Sequence, residues 1–545
     1  MTKSFFFKPF FFLYRIFFRK LKGFPVSVSS SHHASSSQSK NDKFFGSLYS
    51  HRSDLSNQTL MIIFNFEGAL LKSPSLFDYF MLVAFEAGGL LRSLVLFLLY
   101  PLICLVSEEI GLKIMVMVCF FGLKRDSFRV GTAVLPKFFF EDVGSEAFEV
   151  LQRAGKKVGV SNLPRVMIES FLKDYLEIDV VVGKELKVFC GYFLGVMEEK
   201  ENNVLPVLEE HDGEDMGFDI IGITASNKFH DHQLFYYCKD VYLLGNSDKR
   251  SSKKLPRDRY PKKLVFHDGR LALKPTPLDT IAILMWVPLG IALAIFRIIV
   301  GISLPYGVSF PILSFSGLRL TVNDNTKRES QSINSHRSLP NDKPKGVLYV
   351  CNHRTLLDPL YICFALKKNL HAVTYSLSKM SEILSPIKTV RLTRNRHQDA
   401  EMMERLMNQG DVVVCPEGTT CREPYLLRFS PLFSEISDEI VPVAVDTHVP
   451  MFHGTTAGGL KCLDPLFFMM NPSAIYTVQL LDTVSGLYCC RDGSRSSIDV
   501  ANYVQGEVGR ALGFECTKFT RRDKYFILAG NEGIACKSNQ PLKFE

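Results

Sequence analysis

The run Val350-Cys351-Asn352-His353-Arg354-Thr355-Leu356-Leu357-Asp358-Pro359 sets a histidine and an aspartate five positions apart, where an apolar segment ends. A carboxylate beside an imidazole fixes its tautomer and stabilises the imidazolium, which frees the other ring nitrogen to take a proton from a substrate hydroxyl. The spacing also has a structural reading: Thr355-x-x-Asp358 is a capping box, with Asp358 in a first helical turn where the macrodipole favours an anion. Downstream, 388–396 (KTVRLTRNR) gathers Lys388, Arg391, Arg394 and Arg396 around a short apolar core. If extended, it puts alternate cations on one side, which suits a phosphate. Next, 411–415 (DVVVC) runs into Pro416-Glu417-Gly418-Thr419-Thr420, where glycine permits close backbone approach and hydroxyls with a carboxylate can bind a polyol or a phosphate. Singly, each block also reads as a solvated loop.

These groups need elements to hold them. Residues 346–350 (GVLYV) read as a short buried strand and 356–366 as an amphipathic helix that tolerates Pro359 in its first turn, so His353 sits at a strand-to-helix crossing. Residues 411–415 and 440–445 (IVPVAV) read as further buried strands. The polar stretch 323–345 is a loop before the first of them. In the N-terminal half, 60–64 (LMIIF) precedes Asn65-Phe66-Glu67-Gly68-Ala69, and 157–160 (KVGV) precedes Ser161-Asn162. Farther on, 220–224 (IIGIT) leads to Asp231-His232 and then to 241–244 (VYLL).

Four C-terminal blocks in this order resemble the glycerolipid acyltransferase superfamily, with its NHxxxxD, arginine-bearing, PEGT and VPV-type blocks. The resemblance covers about 317–526. The words Tyr375-Ser376-Leu377-Ser378-Lys379, Cys421-Arg422-Glu423-Pro424-Tyr425-Leu426-Leu427-Arg428-Phe429 and Gly454-Thr455-Thr456-Ala457, with Phe266-His267-Asp268-Gly269-Arg270 upstream, look like the land-plant glycerol-3-phosphate acyltransferases of sn-2 type. The resemblance implies His353 as general base, Asp358 as its orienter, and Arg391 and Arg394 on glycerol phosphate. Glu417, Gly418 and Thr419 complete the acceptor pocket, with Arg422 a weaker candidate that can equally be a solvated rim residue. It implies acyl-coenzyme A as co-substrate, no metal or other cofactor, and glycerol 3-phosphate as acceptor. A lysophospholipid acyltransferase would use the same groups, and a non-catalytic interaction protein is a third class.

The N-terminal order looks like the haloacid-dehalogenase phosphatase fold, with 75–135 at the cap position. That family's first motif is Asp-x-Asp, nucleophile and acid, over magnesium. Here the positions hold Asn65 and Glu67. An amide cannot accept a phosphoryl group as a nucleophilic carboxylate does. Ser161 stands as the second motif, Lys184 as an uncertain third, and Asp231 remains of the fourth. The scaffold is expected to survive without its chemistry, which disfavours a bifunctional acyltransferase and phosphatase giving monoacylglycerol. The expected fold class is α/β: an N-terminal haloacid-dehalogenase-like (Rossmannoid) domain and a C-terminal acyltransferase domain, with membrane helices.

Across 545 residues, 64 basic and 56 acidic side chains give +8, too mild for a nucleic-acid binder and suited to anionic substrates and membrane surfaces. The 13 cysteines include no C-x-x-C pair, which favours reduced thiols facing the cytosol. Residues 1–41 hold no acidic residue. A basic aromatic part precedes a Ser/His-rich part, as in an interfacial anchor or a mitochondrial presequence, and the aromatic content favours an anchor. Residues 88–106 and 281–304 are apolar enough to engage a bilayer. The second needs Arg297 to snorkel to the interface, and Pro288 would kink it; core helices are the alternative for both. The expected organisation is 1–57 anchor or targeting segment and linker, 58–245 phosphatase-like domain, 246–274 basic linker, 275–315 membrane segment, 316–530 acyltransferase domain and 531–545 tail. The expected location is integral to a membrane, the endoplasmic reticulum ahead of the mitochondrion.

Overall fold

The computed structural model describes residues 42–44, 60–73, 75–198, 219–225, 233–324, 346–374, 382, 385–393, 395–437, 439–485 and 496–532. The segment 1–41, most of the loop 323–345, residues 375–379, Asp231 with His232, Arg394 and most of the tail lie outside these.

Two largely parallel sheets organise the chain. The first runs in the order β1 (Asp42–Phe44), β8 (Asp240–Leu244), β7 (Asp219–Ala225), β2 (Leu60–Asn65), β3 (Lys156–Pro164), β4 (Val180–Lys184). Strand β2 takes a central place because its apolar run is buried along its whole length, as a parallel strand covered on both faces must be. It is parallel to β3 and β7. A hairpin of β5 (Leu186–Phe189) and β6 (Tyr192–Met197) stands apart.

Helices fill the stretch between β2 and β3. The Phe77–Leu98 helix breaks at Gly89, whose φ of +71° few other residues would adopt. Before the break its side chains from Phe77 to Ala84 are buried; after it Leu91 and Leu98 are exposed. Arg92 donates to the carbonyls of Val118 (3.2 Å), Cys119 (2.7 Å) and Phe121 (3.0 Å), closing the end of the Glu108–Phe120 helix against it.

The second sheet runs β12 (Lys388–Arg391), β11 (His371–Thr374), β13 (Val412–Val414), β10 (Leu348–Cys351), β15 (Ile440–His448), β16 (Ala474–Leu480), β9 (Leu318–Asp324). The first five are mutually parallel, so their carboxyl ends share one edge. Strand β16 is antiparallel to β15. A two-stranded pair, β14 (Tyr425–Leu426) with β17 (Glu515–Cys516), lies beside it.

By length and composition, Phe77–Leu98 and Pro277–Ser303 could each cross a membrane. The second is a single helix despite Pro288, and Arg297 does not snorkel: it is fully buried. Its guanidinium donates to the carbonyls of Met469 and Asn471, both at 2.7 Å, to the Ser316 hydroxyl at 2.9 Å and to the Ser316 carbonyl. These acceptors cluster at the carboxyl ends of the Tyr306–Phe315 and Asp464–Met469 helices, where unpaired carbonyls and the helix dipole favour a cation. A buried cation is tolerable only with such partners. Trp286 likewise donates its indole N–H inward, to the Met470 carbonyl at 2.8 Å.

The stretch expected as a basic linker ends as a buried seam between the two sheets. Glu86 accepts the backbone N–H groups of Arg270 (2.7 Å) and Leu271 (2.8 Å) from the N-terminal side. The Asp268 carboxylate accepts those of Ala457 (3.1 Å) and Gly458 (3.0 Å) from the C-terminal side.

Candidate active site

Strand β10 ends where its sequence turns polar, and each residue beyond it has a positioning role. The Asn352 amide forms two 2.8 Å bonds to the backbone of Val445, acting as an extra rung to β15. The His353 backbone N–H donates to Glu417 Oε1 at 2.7 Å, and Leu427 donates to Glu417 Oε2 at 2.9 Å. His353 Nδ1 lies 2.8 Å from Asp358 Oδ2. Asp358 is fully buried and also accepts the N–H groups of Arg354 (2.7 Å) and Thr355 (3.0 Å), the Thr355 hydroxyl (3.3 Å) and the Tyr476 hydroxyl. One oxygen of this aspartate faces the imidazole while the carboxylate closes the turn ahead of the Asp358–Leu366 helix. Tyr476 is held in turn by stacking on Tyr361, centroids 3.7 Å apart.

His353 lines an apolar cavity of about 430 Å³, within the range of small-ligand sites. Its walls come from the Pro277–Ser303 helix (Ile298, Ile302), the Asp358–Leu366 helix (Leu360, Phe364) and the Asp464–Met469 helix (Leu466, Met469). Cys415, which follows β13, lines it beside His353. Burial opposes a charge on His353, but Cys415 and then Asp358 outweigh it and hold its pKa well above the usual histidine value. The Cys415 thiol is drawn below the usual cysteine value, chiefly by its contact with Cys351, whose own thiol the same contact pushes well above it, with His353 adding to the effect. The ligand atoms of His353, Asp358 and Cys415 lie within 4.8 Å of one another. They do not fit a metal site, because hydrogen bonds already fill the Asp358 lone pairs.

The other expected residues divide. Gly418 borders both this cavity and a second one of about 370 Å³, lined by Arg396, Asp399, Ser430 and Arg521. Its φ of +64° is the left-handed conformation that glycine supplies. Glu417 is buried with both oxygens on backbone donors, and burial pushes its carboxyl up to about 7. Through these bonds it positions the histidine loop. The Thr419 hydroxyl is buried with Lys524, whose ammonium lies 3.4 Å from it and 3.1 Å from the Thr420 hydroxyl. Arg422 is neither rim nor pocket: it is buried, donating to the Thr455 hydroxyl at 2.8 Å and the Gly269 carbonyl at 2.9 Å across the seam.

The cationic block is not one extended segment. The chain leaves β12 at Arg391 and starts a helix at Arg396, because Asn395 caps that helix and Asp399 holds Thr393 at 2.7 Å. Arg391 pairs with Glu382 at 2.7 Å, three strands from β10 and so roughly 14 Å across the sheet. Arg394 lies outside the described residues. The sequence reading missed Asn352, Cys415, Tyr476 and Lys524. For Cys415 the signal was its place directly before the Pro416-Glu417-Gly418 turn. Tyr476 and Lys524 meet the loops only through the tertiary fold.

At the edge of the first sheet, the Asn65 side-chain oxygen accepts the Gly68 N–H at 2.5 Å. Glu67 Oε1 accepts the Ser161 hydroxyl (2.8 Å) and the Asn162 N–H (2.9 Å). The lysine that reaches this loop is Lys249, on the Glu67 carbonyl at 3.1 Å, and not Lys184, which ends the edge strand β4.

Two family models match the chain: the HAD-like domain of RAM2-like glycerol-3-phosphate acyltransferases over residues 61–244, and the acyltransferase domain over 329–446. The chain is 58% identical over 496 residues to probable glycerol-3-phosphate acyltransferase 2 of Arabidopsis thaliana, covering 89% of this chain and 91% of that one. The chain belongs to the glycerol-3-phosphate acyltransferase family. It is also 47% identical over 485 residues to glycerol-3-phosphate acyltransferase 1 of Arabidopsis thaliana, across 86% and 81% of the two chains. To glycerol-3-phosphate acyltransferase RAM2 of Petunia hybrida it is 41% identical over 477 residues, across 86% and 96%. The expected pairing of a HAD-like domain with an acyltransferase domain therefore holds for this family member.

Proposed function

We propose that the protein transfers a fatty acyl group from acyl-coenzyme A to glycerol 3-phosphate, at the sn-2 hydroxyl, giving lysophosphatidic acid. One observation carries this reading: a histidine held by a buried aspartate at 2.8 Å stands on the wall of an apolar cavity large enough for part of an acyl chain. His353 takes the hydroxyl proton, the oxygen attacks the thioester carbonyl, and coenzyme A leaves as its thiol. Asp358 fixes the tautomer and stabilises the imidazolium. The acceptor phosphate is assigned to the second cavity, lined by Arg521 and by Arg396, whose guanidinium is bonded to Glu435, with Arg394 two residues away in sequence.

The exposed apolar side chains Leu91, Leu98, Leu289 and Phe315 support attachment to a bilayer. The basic aromatic segment 1–41 supports the endoplasmic reticulum over mitochondrial import.

Membranes carrying the protein, given glycerol 3-phosphate and a panel of acyl-coenzyme A donors, should yield lysophosphatidic acid acylated at sn-2. His353→Ala should lower turnover by about 10² to 10⁴ at normal expression. Preference for a lysophospholipid acceptor would overturn the assignment.

A further inference from the structure

Two thiols beside the candidate base form a pair for which the proposed reaction has no use. Cys351 closes β10 and Cys415 follows β13. The strands are parallel with Val350 opposite Val414, so the cysteines occupy the next step of the same register. Neighbouring strands run about 4.8 Å apart, within the Cα separation that a disulfide spans. The two Sγ atoms are already 3.3 Å apart, and both are free thiols. Cys415 faces the cavity that His353 lines, while Cys351 is fully buried behind it. A thiol at a cavity wall backed by a second thiol is the arrangement of an oxidant-sensitive cysteine and its resolving partner.

We propose that Cys351 and Cys415 are an oxidative modification site whose reagent is a hydroperoxide. The Cys415 sulfur attacks the peroxide oxygen, the O–O bond breaks, and Cys415 becomes a sulfenic acid as an alcohol or water departs. The Cys351 sulfur then attacks Cys415, a disulfide forms, and the sulfenic oxygen leaves as water. Two electrons pass from the two thiols to the peroxide. The low pKa of Cys415 makes it the first to react, since the thiolate is the nucleophile.

The disulfide would draw the sulfurs from 3.3 Å to about 2.05 Å. Each cysteine lies two residues from one half of the His353–Glu417 bond that fixes the histidine loop. The oxidised form therefore holds the base out of place and is inactive until a thiol reduces it. This consequence rests on the proposed acyl transfer; the linkage itself does not.

The test uses the full chain in membranes, titrated with hydrogen peroxide, alkylated and mapped by peptide mass. Expected are a Cys351–Cys415 linked peptide, a fall in glycerol 3-phosphate acylation of about 10²-fold, the scale of a 1 Å misplacement, and recovery with dithiothreitol. Cys351→Ser, whose hydroxyl keeps a hydrogen-bond partner for Cys415, should keep its activity when reduced, form no linked peptide, and carry a dimedone-trapped sulfenic acid at Cys415. Full activity in peroxide without the linked peptide would overturn the proposal, as would inactivation with both thiols still open to alkylation. Failure of the acyl-transfer reading is seen separately, as no acylation by the reduced protein; the linked peptide and the dimedone adduct are read by mass alone.

Discussion

Both sheets place a loop with a carboxylate at the end of a central parallel strand, and the two loops have opposite fates. After β10, Asp358 and Glu417 take up backbone N–H groups and leave His353 facing a cavity of about 430 Å³. After β2, Glu67 turns onto Ser161 and Asn162, and Asn65 folds back onto Gly68. Residue types already separate these edges: a histidine stands with an aspartate after β10, and an amide holds the first-motif position after β2. Geometry adds that the histidine lines a cavity, while the carboxylate after β2 is bonded to its own neighbours.

The sharpest way to break this contrast is Asp358→Asn. It keeps the shape of the turn but cannot stabilise an imidazolium, so turnover should fall by about 10² to 10³. An active variant would reduce Asp358 to a cap. Glu417→Ala comes next, because it orphans the N–H groups of His353 and Leu427 at about 1–3 kcal/mol each. A lower melting temperature together with lower turnover is expected; a fall in turnover with stability unchanged would mean that Glu417 meets substrate directly.

A smaller effect is expected in the pH profile. A base acts only when neutral, and Cys415 helps to hold the His353 pKa up, so Cys415→Ala should move the acid limb of kcat/KM to lower pH. An unmoved limb would remove Cys415 from the electrostatics of the base. Stability should respond at the seam. Burial lowers His267 to about 3 and His453 well below its usual value, so both are neutral when folded. The unfolded chain gains protons first, below about 6.5. Their stabilising contribution is complete above that pH and is lost as pH falls from about 6.5 towards 3, by up to about 1.4 kcal/mol per pH unit for each histidine. Equal melting temperatures at pH 7 and pH 5 would show that the seam opens before it titrates.

The smallest effect belongs to the first sheet. Asn65→Asp with Glu67→Asp should leave acyl transfer unchanged and release no phosphate, since the fourth motif keeps Asp231 but has no aspartate at Ala225 or Ser226. Magnesium-dependent monoacylglycerol from this variant would show that the lost chemistry lay in those residues alone.

The sequence made the second sheet legible where function and local structure share residues. The strand ending in Cys351, the helix with Pro359 in its first turn and the Gly418 turn are short-range patterns, and each was readable. The cationic block was misread because Asn395 and Asp399 favour a helix cap over continued strand, a local signal outweighed by the charge pattern. Arg297 was misread because the carbonyls that bury it come from residues 316, 469 and 471, distant in sequence. Tyr476, which completes the environment of Asp358, is 118 residues away from it and has no local signature.

Gly418 has one further consequence. It belongs to the wall of the apolar cavity and to that of the charged one, and it brings no side chain to either. On the proposed acyl transfer, a greasy reactant and a water-loving one would approach this glycine from its two sides. The product then inherits the same split, its tail on one side of that glycine and its head on the other.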